Sequence, residues 1–287
     1  MKWLSSWRLT VALFFLSIAL GIYLSFYWTP SRPKVAAAGP GAGIAGACAP
    51  GSRTGHADLN DGIQTSDQLT IAVRTPSDYD PTRAYPLLVV YPPAGLTRRR
   101  SENFYDLTTE ATRRGFVVAY SDQRGSSPKA AAQQAKVAET VASFFCIDEK
   151  SVSYAGHSDG GTMAEAITAD MPKASIVPRS IAASAAGITS DDLAAMPCPG
   201  TPDVLIIHSR TDEHFPGYGR GAAAYWGRCG ACKAMDLAAA ADGCHDFQGC
   251  AKGHRVTYCQ TSSPHDHWPA MNNVILDFIQ SSTKKPH

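Results

Sequence analysis

Short apolar runs separated by stretches of helical character constrain this chain more than any other feature. Leu87 to Tyr91, Phe116 to Tyr120 and Val204 to His208 are almost wholly apolar, and Ser151 to Ala155 contributes Val152, Tyr154 and Ala155. A strand with one wet face alternates apolar and polar residues, whereas a continuous run suits a strand covered on both faces. Leu69 to Arg74 and Ser180 to Ala183 read as further strands. Between the runs lie segments suited to helices: residues 101–114, the Ala-rich 129–145, and Gly160 to Ala169. Val274 to Ile279 falls in a terminal helix. Asp78-Tyr79-Asp80-Pro81 and Pro92-Pro93-Ala94-Gly95 punctuate the pattern as turns. Strands alternating with helices define an α/β class: a mostly parallel sheet with helices on both faces.

The strand at Ser151 to Ala155 and the helix from Gly160 enclose Gly156-His157-Ser158-Asp159-Gly160. This is a G-x-S-x-G pattern in the setting where it carries chemistry, a sharp strand-to-helix turn that lifts a serine hydroxyl above the sheet. A serine hydroxyl is a weak nucleophile at neutral pH and needs a base, and the base needs a carboxylate to orient it. In this arrangement the acid follows a later strand and the histidine follows the acid. Val204 to His208 leads into Ser209-Arg210-Thr211-Asp212, which makes Asp212 the candidate acid, with Glu213, Asp191 and Asp192 as rivals. Pro264-His265-Asp266-His267-Trp268-Pro269 precedes the last helix and supplies two candidate bases, His265 and His267. His265 is preferred, because His267 adjoins Trp268-Pro269 and Pro favours the first turn of a helix. His157 reads as the variable position of the motif.

At this point a family resemblance is specific. The chain resembles the secreted polyhydroxybutyrate depolymerase-like and feruloyl-esterase-like carboxylesterases of the α/β-hydrolase fold. The likeness is carried by Tyr85 to Val90, Gly115 to Tyr120, Cys146-Ile147-Asp148, Val152 to Gly161, His208 through Asp212 to Pro216, and His265 to Pro269. It covers about residues 48–280, with a poor match over 217–260. It implies a serine carboxylesterase without metal or organic cofactor, acting on a polyester, a feruloyl ester or a small acyl ester. Two departures stand out. The family carries His-Gly after its oxyanion strand, where this chain has Pro92-Pro93. Proline has no N–H to donate, so one oxyanion donor falls to Ala94 or Gly95, with Ala94 preferred, beside the N–H of Asp159. The spacing between the base and Trp268-Pro269 also differs from the family's. The Pro-Pro departure keeps open a second reading, an inactive hydrolase-fold binding or cell-envelope protein. Residues 217–260, with Tyr218, Tyr225 and Trp226, are expected to wall a partly aromatic acyl or alcohol pocket.

The N-terminus and the cysteines bear on where the chain works. Leu9 to Trp28 is a run of 20 residues without a charge, about 30 Å as a helix, the thickness of a bilayer core. Aromatic residues cluster near its ends and Lys2 and Arg8 precede it. Residues 1–29 are therefore a signal anchor, or a signal peptide cleaved near Ala36-Ala37-Ala38. Both export the rest of the chain and give it a membrane partner at its N-terminus. Residues 30–47, rich in Pro, Gly and Ala, form a linker, and residues 48–287 the hydrolase domain. All eight cysteines, at 48, 146, 198, 229, 232, 244, 250 and 259, lie beyond the apolar segment. An even count in an exported domain points to disulfides, in a pairing that spacing does not reveal. Cys229-Gly230-Ala231-Cys232 also has the spacing of a zinc or redox site. A net charge of +1 carries no basic excess for nucleic acid.

Overall fold

A computed structural model describes residues 47–170, 176–198, 202–251 and 253–283. The apolar segment 1–29 and residues 30–46 of the linker lie outside them. Among the described residues no helix is long and apolar enough to cross a membrane.

The sheet has nine strands: β1 (Leu59–Gln64), β2 (Thr70–Arg74), β3 (Tyr85–Tyr91), β4 (Val117–Ser121), β5 (Ile147–His157), β6 (Ser180–Ser184), β7 (Asp203–Ser209), β8 (Gly243–Asp246) and β9 (Val256–Thr261). Their order is β1-β2-β4-β3-β5-β6-β7-β9-β8. Strands β4, β3, β5, β6, β7 and β9 run parallel, and β2 and β8 pair antiparallel at the flanks. The helices are α1 (Arg98–Tyr105), α2 (Thr108–Arg113), α3 (Pro128–Phe144), α4 (Asp159–Ala169), α5 (Ser190–Ala194), α6 (Tyr218–Cys229) and α7 (Asn272–Thr283). Successive side chains of a strand point to opposite faces, so a run apolar at every position feeds two cores. Leu87, Val89 and Tyr91 of β3 enter one core with Val137 and Val141 of α3, Ile167 of α4 and Trp226 of α6. Leu88 and Val90 enter the other with Tyr105 of α1 and Ile275 and Phe278 of α7. The mostly parallel sheet covered on both faces is as expected.

Three features differ from the sequence reading. The single helix expected over 101–114 is two, because Asp106 adopts a left-handed conformation (φ 48°) that ends α1; aspartate tolerates this better than most residues. β1 was not expected. It is an edge strand, mostly exposed, with a bulge between Asp61 and Ile63, so it lacks an apolar pattern. The stretch 217–260, which resembles the family least, supplies α6, β8 and β9. Tyr225 and Trp226 are buried in the core there, and the Trp226 indole N–H donates to Glu165 at 2.9 Å.

All eight cysteines are paired: Cys48–Cys146, Cys198–Cys229, Cys232–Cys250 and Cys244–Cys259. The two sulfurs of the C-x-x-C segment thus belong to different bridges, which leaves no thiolate pair for zinc or for a redox couple. Cys244 and Cys259 stand opposite each other in the β8–β9 register.

Candidate active site

Strand β5 ends at His157 and α4 begins at Asp159, so Ser158 alone makes the reversal, at φ 54° and ψ −120°. Such a backbone is strained for a residue with a side chain. The flanking glycines make it sterically feasible. A Cβ on Gly156 would lie 2.2 Å from the Gly160 carbonyl carbon and oxygen, and one on Gly160 would lie 2.1 Å from the Tyr91 oxygen. The turn is held by hydrogen bonds. Ser158 N–H donates to Ser184 O at 2.9 Å, and Thr162 Oγ1 donates to Ser158 O at 3.1 Å. The buried Tyr105 hydroxyl donates to Tyr91 O at 2.7 Å and accepts His157 N–H at 2.8 Å, tying the turn to β3.

Ser158 Oγ lies 3.0 Å from His265 Nε2. His265 Nδ1 lies 2.8 Å from Asp212 Oδ2. The other oxygen of Asp212 accepts the N–H groups of His214 and Phe215 at 2.9 and 3.0 Å. Asp212 sits in the tight turn after β7, which folds its main chain back over its own carboxylate. Its carboxyl is held below the usual carboxylate range: burial pushes it up, but the His265 hydrogen bond, the Phe215 N–H and the nearby imidazoles outweigh burial. An ionised Asp212 accepts a hydrogen bond from Nδ1–H, which fixes the tautomer and leaves the Nε2 lone pair toward the serine hydroxyl.

The surroundings of His265 involve residues to which sequence reading gave no role. The buried His157 Nε2–H donates to the His265 carbonyl at 2.6 Å, and its Nδ1 lies 3.1 Å from Ser184 Oγ. Burial lowers the His157 pKa to about 4, despite the favourable bond to the His265 carbonyl. The ring is therefore neutral at pH 7, with its proton on Nε2. Phe104 and Trp268 lie against it with centroids at 5.5 and 6.0 Å. On the far side of His265, His214 stacks at 4.5 Å and Phe215 packs edge-on at 5.2 Å. Tyr218 in turn stacks on Phe215. His208 Nε2–H donates to Phe215 O at 2.9 Å, under Asp212. The usable sequence signal was positional: His157 ends β5 directly before Ser158, and His208 is the penultimate residue of β7, four before Asp212.

The remaining candidates separate cleanly. His267 is exposed and bonds to its neighbour Asp266 at 2.7 Å; the structure does not bring it to Ser158. Glu213, Asp191 and Asp192 are exposed. Pro92 and Pro93 are buried, and the Leu96 N–H to Pro93 O bond of 3.2 Å, with Gly95 at φ 73°, turns the chain at Ala94. Asp159 is the first residue of α4, where an N–H has no partner within the helix. Asp212, His214 and His265 offer ligand atoms within 4.8 Å of one another. The His214 and His265 rings are nearly parallel, 20° apart, so their in-plane lone pairs run side by side rather than converging as a tetrahedral metal site requires.

No family model matches the chain, and no curated protein matches it in sequence. Solved structures do match in fold. An acetyl xylan esterase from Aspergillus awamori superposes with a TM-score of 0.60 at 12% identity, over 78% of this chain and 99% of that one. A truncated carbohydrate esterase from gut microbiota gives 0.57 at 12% identity, over 83% and 100%. A bifunctional GH43-CE protein of Bacteroides eggerthii gives 0.56 at 12% identity over 78% of this chain, which spans only 38% of that longer protein. At such identities the likeness shows the fold alone: a large, mostly parallel sheet with helices on both faces.

Proposed function

We propose that this chain is an exported serine carboxylesterase with Ser158 as nucleophile, His265 as base and Asp212 as the residue that orients it. The observation that carries the reading is the unbroken hydrogen-bonded series from Ser158 Oγ through His265 to Asp212. In the proposed reaction Ser158 Oγ attacks the ester carbonyl while its proton passes to His265 Nε2. The oxyanion is met by the N–H groups of Ala94 and Asp159. His265 then gives its proton to the leaving alkoxide, and an acyl-enzyme remains. Water, deprotonated by the same histidine, releases the acid and restores Ser158. Ionised Asp212 stabilises the imidazolium formed in both halves. The fold's neighbours include esterases of carbohydrates by name, which supports the reaction class and leaves the acyl group open. Four disulfides fit an oxidising compartment, and residues 1–29 would deliver the domain there.

The test is hydrolysis of p-nitrophenyl acetate by the wild type and Ser158→Ala. The variant is expected to fold normally, by circular dichroism, and to lose activity by ~10³-fold or more. Undiminished hydrolysis by the alanine variant removes Ser158 from the mechanism. A wild type inert toward short esters favours a binding protein on a hydrolase scaffold.

A further inference from the structure

A cavity of about 630 Å³ lies between α3 and α4. It falls in the range of small-molecule sites. One end of it is tied to Ser158 through Thr162. Thr162, which lines it, hydrogen-bonds to the Ser158 carbonyl at 3.1 Å. Gly187, which also lines it, donates its N–H to Thr162 Oγ1 at 2.7 Å. Ser126 and Ser127 form its lip, on the loop from which Gln123 donates to the Asp159 carboxylate at 3.2 Å. From Thr162 to Asp170 the cavity follows α4 for about 12 Å at the helical rise.

The lining identifies the ligand class. Below the hydroxyl-bearing lip the walls are aliphatic: Ala135 of α3, Met163, Ala166 and Ile167 of α4, then Ile188 and Met196. Four charged residues, Lys136, Glu139, Asp170 and Asp192, also line it, and the Asp192 carboxylate is occupied by the Thr189 N–H and hydroxyl. No aromatic side chain lines it among the described residues. A feruloyl ring or a sugar would find no ring to stack on, whereas a methylene chain finds a continuous apolar track with two methionines to adapt to it. The side of the site decides which half of the ester lies there. The leaving oxygen must face His265, whose loop enters α7 on the opposite face of the sheet. The α3–α4 cavity belongs to the face away from that loop.

We propose that this cavity is the acyl-chain subsite, and that the preferred substrates are esters of unbranched aliphatic acids rather than acetate or aromatic acids. The proposal rests on the esterase reading above, and the test separates the two. Wild type, Ala135→Phe and Ala166→Phe are assayed on p-nitrophenyl acetate and octanoate. Octanoate places more methylenes in the apolar track than acetate, so it should exceed acetate in kcat/KM by tenfold or more. Either phenylalanine, filling the track, should remove that preference and leave acetate hydrolysis near the wild-type value, which also shows that the variants fold. Equal wild-type rates on both esters, or an octanoate preference that survives both substitutions, overturns the subsite while the esterase reading stands. If no ester is hydrolysed at all, the esterase reading falls and dodecanoate binding, measured by calorimetry, decides the cavity separately. Binding lost in Ala166→Phe supports it, and no binding by the wild type overturns it.

Discussion

Asp212 and Glu165 are both carboxyl groups removed from water, 3% and 0% exposed, and the protein treats them in opposite ways. At the upper edge of the sheet, Asp212 receives two main-chain N–H groups and an imidazole, and its pKa falls. Beneath α4, Glu165 receives one indole N–H on one oxygen, while the other oxygen has no partner among the described residues. Burial, only partly offset by that single donor, raises its pKa to about 8. Burial alone therefore does not set the charge of a carboxyl; the number of donors converging on it does. The turn after β7 folds back to provide donors, and the helix–helix seam at Glu165 does not.

The sharpest way to break this contrast is Asp212→Asn. The amide keeps the size of the side chain but can neither hold the Nδ1–H tautomer of His265 nor offset an imidazolium. A fall in kcat of about 10⁴-fold is expected, and steady-state kinetics on p-nitrophenyl acetate measures it. A loss below tenfold would show that Asp212 does not orient the base. The matching change Glu165→Gln should leave kcat close to wild type, since no described contact links Glu165 to the reacting groups.

His157 extends the comparison from charge to position. Its neutral ring pins the His265 carbonyl from within the elbow. Without that anchor the base loop loses a fixed point, and small misplacements of a reacting group cost up to ~10²-fold. His157→Leu is therefore expected to lower kcat by roughly 10- to 100-fold with little change in KM, whereas His157→Gln, which retains a donor, should recover most of it. Similar losses in both variants would mean that the ring's packing against Phe104 and Trp268 matters, not its hydrogen bond. His267→Ala, at the exposed end of the same loop, should leave kcat/KM near wild type. A dead His267 variant would reverse the assignment of the base.

Much of this was legible from local patterns. The continuous apolar runs reported strands covered on both sides, and G-x-S-x-G between strand and helix located the reversal at Ser158. The order of Asp212 and His265 along the chain located the other two members of the hydrogen-bonded series; Pro269 does not open the last helix, which begins at Asn272. What was not legible depends on partners distant in sequence. Asp106 broke a helix by adopting a conformation that periodicity does not report. The edge strands β1 and β8 are short and exposed, so no burial pattern marks them. Trp226 looked like a pocket residue because composition cannot tell an aromatic that faces a ligand from one that closes a core over Glu165. His157 occupied a position that the motif leaves unspecified, and only the fold brings it to a carbonyl 108 residues away.

Glu165 gives the smallest effect on catalysis and the clearest one on stability. Its folded pKa of about 8 lies above the 4.5 of an unperturbed glutamate. The folded chain therefore holds a proton that the unfolded chain has released between these values, and stability falls as pH rises through that window. The buried imidazoles oppose it over part of the range. His157, lowered to about 4 from 6.5, and His208, also lowered by burial, bind fewer protons folded than unfolded, so their contribution grows as pH rises toward 6.5 and is then complete. Above that point the glutamate acts without them. Across the remaining unit and a half its contribution is on the order of 2 kcal/mol. Wild-type Tm, followed by circular dichroism, should decline between pH 6.5 and 8, and Glu165→Gln should flatten the decline, because an amide at the same place does not titrate. Tyr225, which packs against Trp226 and whose own pKa is raised by burial and by Glu165, stays neutral throughout this window and does not blur the comparison. A variant whose Tm falls with pH as steeply as the wild type would mean that Glu165 is already ionised in the folded protein, and that the seam beneath α4 holds a charge after all.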